Sequence, residues 1–130
     1  MERRAERHLQ ALLQFARDDP DVIAVLLFGS RARGEADAAS DVDACLVLRP
    51  EAAQEAGRKR LDYLGRVDLD VVVYQALPLY VRQRVLRDGR VLLVKDQDLL
   101  YDIAIQTVRA WEDYRHLYRD FLERVARDRP

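Results

Sequence analysis

The stretch Leu27-Phe28-Gly29-Ser30-Arg31-Ala32-Arg33-Gly34, resumed at Ser40-Asp41-Val42-Asp43, decides the reading of this 130-residue chain. The segment leading into it, Val22 to Phe28, is a near-continuous apolar run, as expected of a strand buried on both faces. Such a strand delivers its chain straight into a Gly-Ser turn, where glycine, lacking Cβ, lets the backbone approach a ligand closely. A helix starting there would point its free N–H groups at that ligand, which suits a phosphate. Arg31 and Arg33 stand beside the turn as phosphate partners, the plain alternative being solvent-facing charge.

Asp41 and Asp43 follow at i and i+2 on a second expected strand, Asp41 to Leu48. Strand side chains alternate, so both carboxylates leave one face, about 7 Å apart along the strand. That geometry suits one or two hard cations, and Mg²⁺ takes a few carboxylate oxygens together with substrate phosphates. A third strand, expected over Val67 to Tyr74, offers Asp68 and Asp70, again two apart on one face. A neighbouring strand would bring one of them to the first pair, and three close carboxylates repel one another unless a cation is present. Taken singly, a Gly-Ser turn or an Asp-x-Asp carries no information; their order, after one apolar strand and before another, does.

Outward from this centre, Arg3 to Asp18 reads as a helix with Ala5, Leu9, Leu12, Leu13 and Ala16 on one face. Glu51 to Gly65 is expected to be helical, with Ala52, Ala56, Leu61 and Leu64 inward. Pro78 opens a helix that ends near Asp88, with Gly89 just beyond it. Val91 to Val94 is a short fourth strand, and Gln97 to Val125, free of Gly and Pro, reads as one long helix. The order α-β-β-α-β-α-β-α predicts a mixed α/β (α+β) domain, with helices flanking a small sheet of about four strands. Residues 1–130 are expected to form a single domain, with 97–126 as its long C-terminal helix.

Composition narrows the function. Acidic residues number 23 and basic ones 22, which argues against binding nucleic acid or an anionic membrane by bulk charge. Almost all the positive charge is arginine; Lys59 and Lys95 are the two lysines. Cys45 is the single cysteine, so no disulfide can form within the chain. It is expected to be a small buried core residue. No apolar run approaches the roughly 20 residues a membrane span needs. The expectation is a cytoplasmic protein with no membrane contact and no direct nucleic-acid partner.

Gly29-Ser30 followed by Asp41 and Asp43 resembles the GS…DxD signature of nucleotidyltransferases of the DNA polymerase β superfamily. The Gly-Ser-Arg-Ala-Arg-Gly form, with Ser-Asp-x-Asp next, is similar to the minimal nucleotidyltransferase (MNT) branch, whose members serve as antitoxins of HEPN toxins. The likeness continues through Val67 to Val73 and through Val85-Leu86-Arg87-Asp88-Gly89-Arg90-Val91-Leu92, so it spans residues 8–125. It implies a polymerase-β-like fold and transfer of AMP from ATP to a hydroxyl, with two Mg²⁺ ions. The acceptor it implies is a tyrosine on a cognate HEPN toxin.

By the same resemblance Asp41, Asp43 and Asp70 are the catalytic and metal-binding carboxylates, and Gly29, Ser30, Arg31, Arg33 and Ser40 hold the nucleotide. The family's spacing favours Asp70, although Asp68 is also present. The expected assembly is a hetero-oligomer with the toxin, a homodimer being the alternative for the chain alone.

The last helix carries Ala104, Thr107, Trp111, Tyr114, Tyr118, Phe121 and Val125 at near-heptad spacing. About 29 helical residues span more than about 40 Å, longer than so small a domain can cover. Trp111, Tyr114, Tyr118 and Phe121 are therefore candidates for contact with a partner. Two other functions stay open at this point: neutralisation of the partner by binding and occlusion without catalysis, and nucleotidyl transfer to a small molecule of the aminoglycoside type.

Overall fold

β1 (Val22–Phe28) lies inside the sheet, as its unbroken apolar run requires: six of its seven residues are buried. The computed structural model describes residues 3–29 and 43–128. β1 pairs antiparallel with β2 (Asp43–Leu48) on one side and with β4 (Arg90–Val94) on the other. β2 pairs in parallel with β3 (Asp70–Val73), giving the order β3-β2-β1-β4. A parallel pair needs a crossover connection. Here it is a 3₁₀ helix over Pro50–Glu55 followed by α2 (Ala56–Leu64).

Strand alternation divides the core between the two faces of the sheet. Val25 and Leu27, with Ala44, Leu46 and Leu48 and then Val71 and Val73, face Leu9, Leu12, Leu13 and Ala16 of α1 (Arg3–Asp18). Leu26, Cys45, Val47 and Val72 face the opposite layer, made by α3 (Leu79–Asp88) and the first part of α4 (Gln97–Arg127). Ile23 and Ala24 are adjacent in sequence yet share this second cluster, because the register shifts between Val22 and Ala24. An irregularity of that kind re-aims side chains without ending the pairing.

α2 is held by charge as well as by apolar burial. The Lys59 ammonium is buried between two carboxylates, 3.0 Å from Asp19 Oδ2 and 3.1 Å from Asp21 Oδ2. Tyr63 donates its hydroxyl to Asp19 Oδ2 at 2.9 Å. Burial alone would lower the Lys59 pKa, but the bonds to Asp19 and Asp21 outweigh it and hold the pKa above its ordinary value. Burial would raise the Asp19 carboxyl, yet Lys59, the Asp21 backbone N–H and Tyr63 together hold it below the usual aspartate value. This anchor turns Lys59 and Tyr63 inward and leaves Leu61 71% exposed, correcting the inward placement expected of Leu61.

The third strand is shorter than the Val67–Tyr74 run suggested. It begins at Asp70, and Tyr74 opens a 3₁₀ helix, Tyr74–Ala76. Asp68 is drawn away toward α1: its N–H donates to His8 Nδ1 at 3.1 Å and its carboxylate pairs with Arg4 at 3.1 Å. Val67 and Leu69 still reach the core. At the other end of β3, the buried hydroxyls of Tyr74 and Thr107 are hydrogen-bonded, tying the strand to α4.

α4 begins where Asp96 caps it, its side chain accepting from the Leu99 N–H at 3.0 Å. Only Ile103 and Thr107 of this helix are buried. Every described residue beyond Trp111 is exposed, so the apolar spacing that continues along the helix meets no other surface among the described residues. No helix among the described residues is long and apolar enough to cross a membrane.

Candidate active site at the end of β1

The chain leaves β1 through Gly29, whose φ is +96°, the one positive value among the described residues. L side chains rarely adopt that conformation, whereas glycine does so at little cost. Space imposes a second requirement. A Cβ on Gly29 would lie 2.5 Å from Oδ2 and 3.4 Å from Cγ of Asp43, so the carboxylate occupies the place a side chain would need.

Asp43 opens β2 opposite Phe28 of β1 and is the register partner of Asp70 across the parallel pair. Adjacent strands lie about 4.8 Å apart, and register partners in a parallel pair present their side chains on the same face. By alternation Asp43 shares a face with Cys45 and Val47, and Asp70 with Val72, the face that packs on α3 and α4. Asp43, Asp70 and the Gly29 bend therefore meet at one corner of the sheet. Asp68 is not part of it. Asp41, Ser30, Arg31, Arg33 and Ser40 lie outside the described residues.

A cleft of about 250 Å³ opens beside Gly29, lined by Phe28, Gly29, Val81, Arg84, Val85 and Asp88. Its far wall is made by Val81, Arg84, Val85 and Asp88 of α3, and the helix ends at Gly89. A Cβ there would collide with the Val85 carbonyl oxygen and would lie 3.6 Å from the Leu27 carbonyl oxygen. The Gly89 N–H closes the helix on Val85 O at 2.7 Å, with φ of −74°, so space and not backbone freedom calls for glycine. Asp88 is held by a two-pronged contact from Arg87, 3.1 Å at each oxygen.

A second cation borders the site from α2. Arg60 donates from Nε to the Val71 carbonyl at 2.8 Å and approaches Asp70 Oδ1 at 3.5 Å. Sequence reading missed Arg60, Arg84 and Asp88. Arg60 stands in a run of basic residues with nothing to distinguish it, and Asp88 was read as part of a helix end and of the stretch that carries the resemblance, with no role of its own. Cys45, two residues from Asp43, is fully buried, and burial pushes its thiol up to about 12, which makes it a core residue.

Two carboxylates on neighbouring strand starts, beside a bend with no side chain, are a donor set that fits a hard divalent cation and an anionic ligand. Residues 10–98 match the family described as Polymerase beta, Nucleotidyltransferase. The chain belongs to that family. As a polymerase β nucleotidyltransferase it has the expected architecture, a small mixed sheet flanked by helices with a long C-terminal helix.

A relative in Methanocaldococcus jannaschii, named "Putative protein adenylyltransferase MJ1547", is 26% identical over 106 residues, covering 80% of this chain and 75% of that protein. A chain of a toxin–antitoxin complex crystallised with AMP-PNP has the same fold, with a TM-score of 0.62 at 22% identity. It covers 93% of this nucleotidyltransferase and 98% of that chain. A chain from the complex of tri-AMPylated Shewanella oneidensis HEPN toxin with MNT antitoxin gives a TM-score of 0.59 at 20% identity, covering 94% and 98%. The part of this chain left unmatched in either comparison is smaller than α4, so the shared fold includes much of that helix.

Proposed function

We propose that this nucleotidyltransferase moves AMP from ATP to a tyrosine hydroxyl of a cognate HEPN toxin and so silences it. The observation that carries the reading is the register pairing of Asp43 with Asp70 beside the Gly29 bend. The adenylyltransferase name of the M. jannaschii relative supports adenylyl transfer, and the AMPylated HEPN toxin found with an MNT antitoxin supports a HEPN toxin as the kind of acceptor. The whole chain, residues 1–130, acts as one catalytic domain in the cytoplasm, and its working form is a hetero-oligomer with the toxin.

In this reading Gly29 and Ser30 grip the triphosphate, with Arg31, Arg33 and Ser40 at its oxygens. Asp41, Asp43 and Asp70 would hold Mg²⁺, which when bound neutralises phosphate charge and lowers the barrier to in-line displacement. The acceptor oxygen forms a bond to the α-phosphorus, the bond to the bridging oxygen of the β-phosphate breaks, and pyrophosphate leaves. Asp70, at the outer strand, takes the proton of the attacking hydroxyl. Positioning and charge neutralisation supply most of the rate, since the protein contributes no covalent step.

Incubation with labelled ATP, Mg²⁺ and the product of the neighbouring gene tests this, beside an Asp41→Ala/Asp43→Ala variant. Label on the partner's tyrosine from the wild type alone is the expected result; equal labelling by the variant removes the metal assignment. One observation favours a second reading, neutralisation by occlusion. Trp111, Tyr114 and Tyr118 stack along the distal part of α4, with ring centroids 5.6 and 6.0 Å apart, Trp111 partly buried and the two tyrosines exposed. Full suppression of toxicity by the double aspartate variant would select occlusion.

A further inference from the structure

We infer that Arg60 is a positioning residue for Asp70; the inference rests on the reading of Asp70 given above. Among the described strands β3 lies at the edge of the sheet, so part of its backbone has no partner among them. Arg60 supplies one: its Nε donates to the Val71 carbonyl at 2.8 Å, while its terminal NH2 group stands 3.5 Å from Asp70 Oδ1. One planar group thus spans the backbone of one residue and the carboxylate of the residue before it. That reach uses the fixed fork of a guanidinium, which a lysine ammonium cannot reproduce.

The element that carries Arg60 is itself fixed. Lys59, the preceding residue, is bound to Asp19 and Asp21, and Tyr63 to Asp19, so α2 cannot slide along β3 without breaking that part-buried cluster. Asp70, by contrast, begins its strand and is about half exposed, so neighbouring packing does little to select its rotamer. An ion pair this exposed adds little to stability. Its consequence is orientation: the contact engages Oδ1 and restrains the carboxylate that must meet the acceptor hydroxyl and the cation.

Arg60→Lys tests this, since it keeps the charge and loses the fork. With the full chain and its protein acceptor, kcat falls about tenfold while KM for ATP stays within about twofold, as expected when a reacting group is misplaced but the nucleotide site is intact. Binding of Mn²⁺ without nucleotide, read by electron paramagnetic resonance, weakens by about threefold, the lost orientation being measured there without turnover. The melting midpoint stays within about 2 °C, since the pair is exposed.

A kcat equal to the wild type overturns the inference, and so does a fall in kcat that tracks a fall in melting midpoint, which would make Arg60 merely structural. An Asp70→Asn control separates the two levels. An inactive Asp70→Asn beside a fully active Arg60→Lys removes the inference alone, whereas full activity of Asp70→Asn removes the reading of Asp70 and the inference with it.

Discussion

Oδ2 of Asp43 fills the space that a Cβ on Gly29 would occupy. A side chain at position 29 and the Asp43 carboxylate therefore compete for one space, so a residue larger than glycine at the bend displaces the carboxylate. Gly29→Ala places a methyl group against that oxygen and forces alanine to a φ of +96°. The strained backbone costs about 1–3 kcal/mol. Nucleotidyl transfer is expected to drop by about 100-fold or more, because Asp43 must also move. Urea unfolding and a transfer assay on the same preparation check both; wild-type activity in Gly29→Ala would show that the bend and Asp43 are not coupled.

Asp68 and Asp70 are two residues apart but belong to different parts of the molecule. Asp70 pairs in register with Asp43, whereas Asp68 is bound to Arg4 of α1. Asp70→Asn is expected to lower transfer by about 100-fold or more. Asp68→Asn is expected to leave it within about twofold and to cost less than about 1 kcal/mol, since its ion pair is exposed. Steady-state kinetics of the two variants decide the assignment, and the opposite ranking would move the third carboxylate to Asp68.

Lys59 joins α2 to the turn before β1. Lys59→Met leaves Asp19 and Asp21 facing each other without their cation and is expected to cost about 2–3 kcal/mol near neutral pH. The pH dependence follows from the signs. The Asp19 pKa is depressed in the folded chain, so its stabilisation is complete above the ordinary value of 3.8 and fades as pH falls below it. The Lys59 pKa is raised, so its stabilisation is complete below the ordinary value of 10.5 and fades as pH rises past it. The stability difference between wild type and Lys59→Met, read by urea unfolding, is therefore largest between those limits and shrinks outside them. A difference that did not vary with pH would mean the anchor works by packing alone.

The distal half of α4 is expected to be dispensable for folding. Tyr114 and Tyr118 are about half exposed, so Tyr114→Ala/Tyr118→Ala shifts stability by less than about 1 kcal/mol. The same pair should weaken the complex with the protein partner by about 2 kcal/mol or more, the usual cost of losing aromatic anchors at an interface. Calorimetric titration against the partner, next to a thermal melt, separates the effects. An unchanged affinity would move the partner surface off this helix.

The elements and the family were legible in the residues themselves. The boundaries of α1 and β1, the ends of α3 at Pro78 and Gly89, the start of α4 and the number of strands follow from periodicity and stop signals, which are local properties. The Gly-Ser and Asp-x-Asp spacing pointed to a phosphate and cation site, and its resemblance to a known signature implied a nucleotidyltransferase. Alternation gives Asp68 and Asp70 the same face; that Asp70 lies in register with Asp43 while Asp68 is drawn to His8 and Arg4 was set by the pairing with β2 and the pull of α1, which are tertiary. Arg60 and the Lys59 anchor were hidden for a similar reason. A charged residue in a basic, helical run is defined by what it reaches across space, and Val71, Asp19 and Asp21 come within reach only once α2 has folded back over the sheet.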